Sequence, residues 1–568
     1  MKRWGFPTTA AAAIVFFLSA TAPRAVAAIA EHTFVVSQMK MTHLCKETLV
    51  TLVNGQLPGP VIEVTEGDSV SVHVVNKSPH NITIHWHGVK QRLNCWADGR
   101  GGAMCIDRGR PTPINFDWFK REWWEKDLAQ EDNRMVSGSI FDVPSASTIN
   151  GKLGDLYNSC SGVVEEGYVL DVEPGKTYLL RIINAALFSE YFFKIAGHNF
   201  TVVAADANYV RPYTTDVIAI APGETVDALV VADAAPGGKY YMVALADQEP
   251  EPELQIPQFV SRGIVQYISK NHSTGNGAAP LAPEMPDQHD VMTSFYFHGN
   301  LTRLHRGGLP PPPPPARVDE RLYVTLAGGS ICKRGGQSCK RGGSNESIIV
   351  ATMNNVSFQP PTTARQPLLE AHYYHTGGLD ALQELPDRPP RPFNFTDPAY
   401  IPWGPNEAWL EPTTKATVAR RFRHGAVVEV VFQGTSLMAR DAHPMHLHGH
   451  DMFVLAQGLG NYDAARDVAR YNLVDPPVRN TALVPGLGWL AVRFVADNPG
   501  LWYMHCHYEF HLSMGMIAIF VVEDGPTVDT SLPPPPADFP TCDCADNLMP
   551  HELYLQTKSE ALRRLNGV

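Results

Sequence analysis

The chain has 568 residues, 44% of them hydrophobic, and a formal net charge of −12 with histidine neutral. A single core seldom exceeds about 300 residues, so more than one domain is expected. The balance is mildly acidic and no segment carries a basic stripe, which speaks against nucleic acid as a partner and otherwise bears on solubility.

Residues 1–27 read as a secretory signal peptide. Lys2 and Arg3 supply the positive start, Ala10 to Ala20 is an apolar run, and Ala25-Val26-Ala27 is a small-residue cleavage pattern. The run is shorter than the roughly 20 residues a membrane span needs, and no later segment qualifies, so no membrane partner is expected. Secretion implies an oxidising compartment. Cys45, Cys95, Cys105, Cys160, Cys332, Cys339, Cys506, Cys542 and Cys544 are the nine cysteines. With Cys506 set aside as a metal ligand, eight are left that could pair, in a connectivity the sequence does not give. Asn81, Asn271, Asn300, Asn345, Asn355 and Asn394 sit in N-x-S/T acceptors, each a weak signal on its own.

After the leader, one β-rich unit recurs. The stretch from Gly67 to Gly88 runs Gly, alternating strand, polar turn, then His85-Trp86-His87-Gly88. The stretch from Gly425 to Leu455 repeats that order and ends on His446-Leu447-His448-Gly449, with His443 just before. Between them, Gly175 to Asp206 has the same rhythm but only Gly197-His198. A repeated period marks repeated units, and short alternating strands between Gly, Pro and Asn turns predict β-sandwiches. The resulting division is a first unit over 28–145, a second over 146–270, a connecting region with some strands over 271–423, a third unit over 424–525 and a tail over 526–568. Metal-type histidines in the outer units and none in the middle one predict a site at the seam of the first and third.

The third unit closes on His505-Cys506-His507-Tyr508-Glu509-Phe510-His511, with Met516 beyond, read as a strand running into a loop. Alternate side chains of a strand face opposite ways, so His505 and His507 point to one side and Cys506 to the other. One segment then serves two metal sites joined through its own backbone. Cysteine, two histidines and a weak axial methionine form the ligand set of a blue copper site, and imidazole with thiolate favours copper over the harder metals. No H-E-x-x-H of a zinc protease occurs.

These motifs, HWHG, HPMHLHGH and HCHYEFHLSMGM, resemble those of the plant laccases, a group of multicopper oxidases. So do Thr51 to Gly55 with Leu57 to Pro60, Thr148 to Tyr157, Gln457 to Tyr462 and Asn472 to Thr481. The resemblance spans nearly all of the chain after the leader. It implies an all-β fold of three cupredoxin-like (plastocyanin-like) Greek-key sandwiches, the first one shortened, and four copper ions. It also implies one-electron oxidation of phenols, lignin-related ones in a plant, coupled to reduction of dioxygen to water by a secreted, apoplastic monomer. Carried over residue by residue, it assigns His443, Cys506, His511 and axial Met516 to the type 1 copper. His85 and His446 fall to the type 2 copper, and His87, His448, His505 and His507 to the type 3 pair. Cys506, His505 and His507 carry the electrons between the sites. Glu509 and Asp206 are polar candidates for taking the phenol proton near the type 1 copper, each expected at the solvated surface.

The chain departs from the family in one place. The family has a second H-x-H in its first unit, and here no histidine occurs between His87 and His198. Trp96-Ala97-Asp98-Gly99 leads through an unfamiliar patch, Arg100 to Pro113, to Glu122-Trp123-Trp124. Each type 3 copper then keeps two protein ligands, so fewer than four ions is one outcome. Asp98, Asp107 and Glu122 are the nearby oxygen donors, without a spacing that singles them out. Two other readings follow: a non-enzymatic type 1 copper protein with an impaired cluster, and a faulty gene model of an active laccase.

Overall fold

The computed structural model describes residues 29–537 and 552–555, less 66–67, 81, 100–113, 116–121, 126–133, 135–143, 159, 166, 188, 236–237, 248–258, 269–278, 306–310, 333–346, 362–366, 378, 380–381, 393, 398–412 and 436–441. The expected signal peptide, the Arg100 to Pro113 patch, Asp107, and the acceptors Asn81, Asn271 and Asn345 lie outside the described residues.

Strands dominate, as alternating patterns demand. In the first unit Ile29–His43 pairs antiparallel with Lys46–Val53 and parallel with Ser69–Asn76. Leu44 and Cys45, both at positive φ, make the tight turn between the first two. Phe34, Val36, Val72 and Val74 alternate inward onto Ile84 and Ala97, a small core. Glu552–Leu555, near the end of the tail, pairs with Ser69–Asn76 and completes a sheet ordered Lys46–Val53, Ile29–His43, Ser69–Asn76, Glu552–Leu555.

The second unit is a sandwich. One sheet has the order Ile218–Ile220, Tyr191–Ile195, Lys239–Ala246, Val260–Tyr267, Tyr168–Val172, and the facing sheet Asn208–Thr215, Phe200–Ala205, Thr225–Val231, Thr177–Ile183. Helix Val291–Gly299 closes one side. Asp290 caps it by accepting from the Met292 and Thr293 amides, and Phe297 enters the second core.

The third unit is the largest sandwich. Its wide sheet takes in Glu320–Cys332, Ser347–Met353, Val356–Phe358 and Thr414–Ala416 beside Ala426–Gly434 and Gly488–Ala496, so strands of the connecting region build this core. Its other sheet centres on Ile517–Val522, Gly500–Cys506, His443–Leu447 and Thr481–Val484.

Two cysteine findings refine the expectation that eight could pair. Cys45 and Cys160 are disulfide-bonded, tying the first unit's turn to the start of the second. Cys95 is a buried free thiol whose Sγ donates to the Leu501 carbonyl at 3.3 Å. Of the glycan acceptors, Asn300 and Asn394 are exposed, whereas Asn355 is buried and accepts from the Thr413 hydroxyl. Among the described residues no helix is long and apolar enough to cross a membrane.

Candidate metal centres

Two facts of register build the sites. His446 lies opposite His505, and Met445 opposite Cys506, in the pairing of His443–Leu447 with Gly500–Cys506. Directly opposed residues of an antiparallel pair share a face. His446 and His505 therefore project to one side of the sheet, and Cys506 projects to the other with Met445 and, by alternation, His443.

On the Cys506 face, His443 Nδ1 is 3.8 Å and His511 Nδ1 3.4 Å from Cys506 Sγ. All three residues are fully buried, and their donor atoms lie within 4.8 Å of one another. The expected loop after Cys506 contains a short helix, Glu509–Ser513, with Leu512 donating to the Tyr508 carbonyl and Met514 to that of Phe510. That turn brings His511 back to the sulfur. Met516 is fully buried, and its carbonyl accepts from the Cys506 amide at 3.2 Å. Burial pushes the His511 ring down to about 3, so it is neutral and has a lone pair to offer.

On the opposite face six imidazoles converge. His85 Nε2 lies 3.2 Å from His446 Nε2, and His448 Nε2 lies 3.1 Å from His505 Nε2. The His87 and His507 rings lie edge to face with centroids 4.9 Å apart. The far nitrogens fix the tautomers. His85 Nδ1 and His448 Nδ1 each donate to Asp98, at 2.7 and 2.8 Å. His446 Nδ1 donates to the Asn480 carbonyl at 2.9 Å, and His505 Nδ1 to the Cys506 carbonyl at 2.8 Å. A carbonyl or an ionised carboxylate only accepts, so in each ring Nδ1 holds the proton and Nε2 a lone pair. Burial, followed by the charges of neighbouring histidines, drives His446 and His505 well below the usual imidazole range. For His448 burial outweighs the Asp98 charge and leaves it at about 4.

Two pairs of lone pairs thus face each other with no proton between them. That arrangement is unfavourable unless a cation lies there. His87 fits the same pattern in mirror image: Nε2 donates to the Gly223 carbonyl at 2.6 Å, and the buried Nδ1 has no protein partner among the described residues. Ligating histidines typically give their second N–H to a carboxylate or carbonyl in this way. Neutral imidazoles on one face, with a thiolate donor on the other, fit copper.

Asp98 is the residue whose role changes most from the sequence expectation. It is not an added oxygen ligand. Both its oxygens are engaged by ring N–H groups, and although burial opposes ionisation, the His448 and His85 contacts outweigh it and hold the carboxyl well below its usual range. Asp206 is corrected as well. It is buried, not solvated, and it lies on the histidine-cluster side, where Arg479 Nε reaches it at 2.8 Å and the Asn480 and Thr481 amides at 3.2 Å each. Glu509 is half-buried, with its amide on the Leu187 carbonyl at 2.9 Å. Glu122 falls in a two-residue strand against Ala146–Ser147. His198 belongs to neither cluster and is held by Tyr267 and the Ala196 carbonyl. Sequence reasoning missed Gly223, Asn480 and Thr481. The only signal was their proximity to motifs, since Asn480 and Thr481 end the Asn472 to Thr481 stretch.

Three multicopper oxidase family models match the chain, over residues 35–132, 112–262 and 384–526. Laccase-15 of Oryza sativa subsp. japonica is 58% identical over 598 aligned positions, covering 94% of this chain and 99% of the relative. Laccase-20 of the same subspecies is 49% identical over 570 positions, covering 91% and 96%. The solved laccase of Botrytis aclada superposes with a TM-score of 0.62 at 21% identity, covering 89% of each chain, which speaks for the fold. The chain belongs to the multicopper oxidases, with their three cupredoxin-like domains and copper as cofactor. Within them it is a laccase-type oxidoreductase of the plant group. The Laccase-15 alignment is longer than the stretch of this 568-residue chain it covers, so about 60 positions of the relative face no residue here.

Proposed function

We propose that the chain oxidises phenols one electron at a time and passes the electrons to dioxygen, as a secreted monomer acting on small lignin-related phenols. His443, Cys506, His511 and Met516 hold the type 1 copper, His85 and His446 the type 2 copper, and His87, His448, His505 and His507 the type 3 pair. Bound copper would supply the one-electron oxidation of the phenol and the four-electron reduction of dioxygen to water. The protein contributes position and dryness. Cys506 sits on one face while its neighbours His505 and His507 sit on the other, so the sulfur and the cluster are one residue apart along the backbone. Asp98 orients two rings with a single carboxylate. The observation that carries the reading is the double confrontation of Nε2 lone pairs, His85 with His446 and His448 with His505. Support for secretion comes from the leader pattern and from the Cys45–Cys160 disulfide.

A second reading has a specific observation behind it. No histidine lies between His87 and His198, so the cluster has six histidines where the family pattern has eight. A metal site short of ligands loses affinity and geometry. This reading gives a competent type 1 site with slow oxygen turnover. Purified protein should be assayed for oxygen uptake with a methoxyphenol, beside rapid reduction of the blue absorbance by the same phenol. Uptake stoichiometric with phenol oxidation supports the oxidase, and bleaching of the blue band without uptake supports the electron-transfer reading. If neither the band nor uptake appears, both are wrong.

A further inference from the structure

The middle unit offers the cluster no histidine, yet through Gly223 it meets two of the cluster's rings, His87 and His507. Gly223, at φ +81° in the Ala221–Glu224 turn, accepts from His87 Nε2 through its carbonyl. A Cβ at that position would overlap the His507 ring, so the glycine backbone is the wall against which His507 rests. From the other side, Thr481 Oγ1 lies 3.0 Å from His446 Nδ1 and 3.3 Å from His87 Nε2.

Both contacts hang from one buried ion network. Glu224 Oε2 accepts from the Ala221 amide at 2.9 Å, closing the turn, and from His298 Nε2 at 2.9 Å. Glu224 Oε1 pairs with Arg479 Nη2 at 3.1 Å. Arg479 in turn clamps Asp206, whose Oδ2 also accepts from the Asn480 and Thr481 amides. His298 donates from Nδ1 to the Ser294 carbonyl at 2.9 Å as well as from Nε2 to Glu224. With both ring nitrogens donating, His298 is an imidazolium. Two cations and two anions then balance, at side-chain exposures of 1–8%. Removing one partner of such a set leaves an uncompensated buried charge, so the set is held together or not at all.

We propose that the middle unit serves as the positioning frame of the histidine cluster, and that Glu224 is its key positioning residue, fixing the Gly223 turn to Arg479 and thereby to the Asn480–Thr481 strand. This rests on the reading of the six histidines as copper ligands. Glu224 touches no ligand itself and acts through Gly223.

The test is Glu224→Gln, which keeps the shape and an acceptor for the Ala221 amide but removes the charge. Copper per chain and the ratio of type 2 to type 1 electron paramagnetic resonance intensity are read after dialysis against a chelator. The expected result is cluster copper held about 10- to 100-fold more weakly, the usual scale for a lost orienting contact, with the type 1 signal and blue absorbance unchanged. Glu224→Asp, which keeps the charge, restores part of the cluster signal. Tyr267→Phe, removing the His198 contact elsewhere in the middle unit, leaves the ratio unchanged. Should Glu224→Gln not fold, Gly223→Ala disturbs the His507 wall with the ion network intact and is expected to give the same selective loss. An unchanged ratio in Glu224→Gln, or type 1 and cluster signals falling in step, would overturn the proposal. Wild-type protein with type 1 copper alone would overturn the cluster reading itself and any role for Glu224 in it.

Discussion

His85 and His446 are 361 residues apart in sequence, and their Nε2 atoms lie 3.2 Å from each other. Each ring keeps its proton on Nδ1 and donates it in a hydrogen bond, His85 to Asp98 and His446 to the Asn480 carbonyl. The pair is therefore built to share a cation. His446→Ala is expected to abolish the type 2 copper signal while leaving the blue absorbance of the Cys506 site. Stripping copper from the wild type should lower its melting temperature, because a ligand that binds only the folded state stabilises by about 2.7 kcal/mol at 100 times its dissociation constant. Part of that shift should vanish in the variant, which calorimetry with and without chelator would show.

Asp98 serves two donors at once, so its replacement has an uneven effect. In Asp98→Asn one oxygen still accepts, but the amide NH2 confronts the other ring N–H. One of His85 and His448 is then left to rotate or change tautomer. Cluster copper should be held about 10- to 100-fold less tightly in competition with a chelator, with the type 1 absorbance as the internal control. Equal retention by Asp98→Asn and wild type would show that the carboxylate does not orient the rings.

Glu190 gives a pH dependence with a definite sign. Burial raises its carboxyl from the usual 4.5 to about 7, against the pull of the His298 charge and the Ser294 hydroxyl. Between those values the folded protein keeps a proton that the unfolded chain has lost. The contribution to stability is therefore full below about pH 4.5 and is lost as pH rises through 7. Glu190→Gln cannot ionise and still accepts from Ser294. It should match the wild type near pH 4.5 and exceed it at pH 8 by on the order of 3 kcal/mol in urea denaturation. A difference independent of pH would reject this account of the buried carboxyl.

The Cys45–Cys160 disulfide spans 115 residues and joins the first unit's hairpin turn to the second unit. Cys45→Ser, or mild reduction of the intact protein, should cost about 2–4 kcal/mol of stability. The loss should appear first in the small core of Phe34, Val36, Val72 and Val74, where hydrogen exchange can locate it. Uniform loss of protection across all three units would mean the bond acts globally.

How much of this was written in the sequence depends on range. Period-two alternation is local, and it placed His505 and His507 opposite Cys506 without a structure. The matched motifs also named the histidines that converge, because each H-x-H presents both rings on one strand face. What local pattern does not encode is what lies across the sheet. Thr481 faces His446 only through the register of two strands far apart in sequence. Asp206 looked like a surface residue because an aspartate at a strand end usually is one, and its burial is made tolerable by Arg479 together with the Asn480 and Thr481 amides. The turn that returns His511 to Cys506 looked like a loop because five helical residues carry too little periodicity to register. The connecting region was expected to hold some strands, but its Pro- and Gly-rich composition hid that Glu320–Cys332 pairs with Ala426–Gly434 and so belongs to the third sandwich.

The central claim is that imidazoles from both ends of the chain form one copper cluster coupled to Cys506. Copper counted per chain in purified protein, together with its electron paramagnetic resonance spectrum, tests this most directly. The account predicts a type 1 signal accompanied by a type 2 signal, with a total of more than one and up to four copper ions. A single copper per chain with a type 1 signal alone would contradict it.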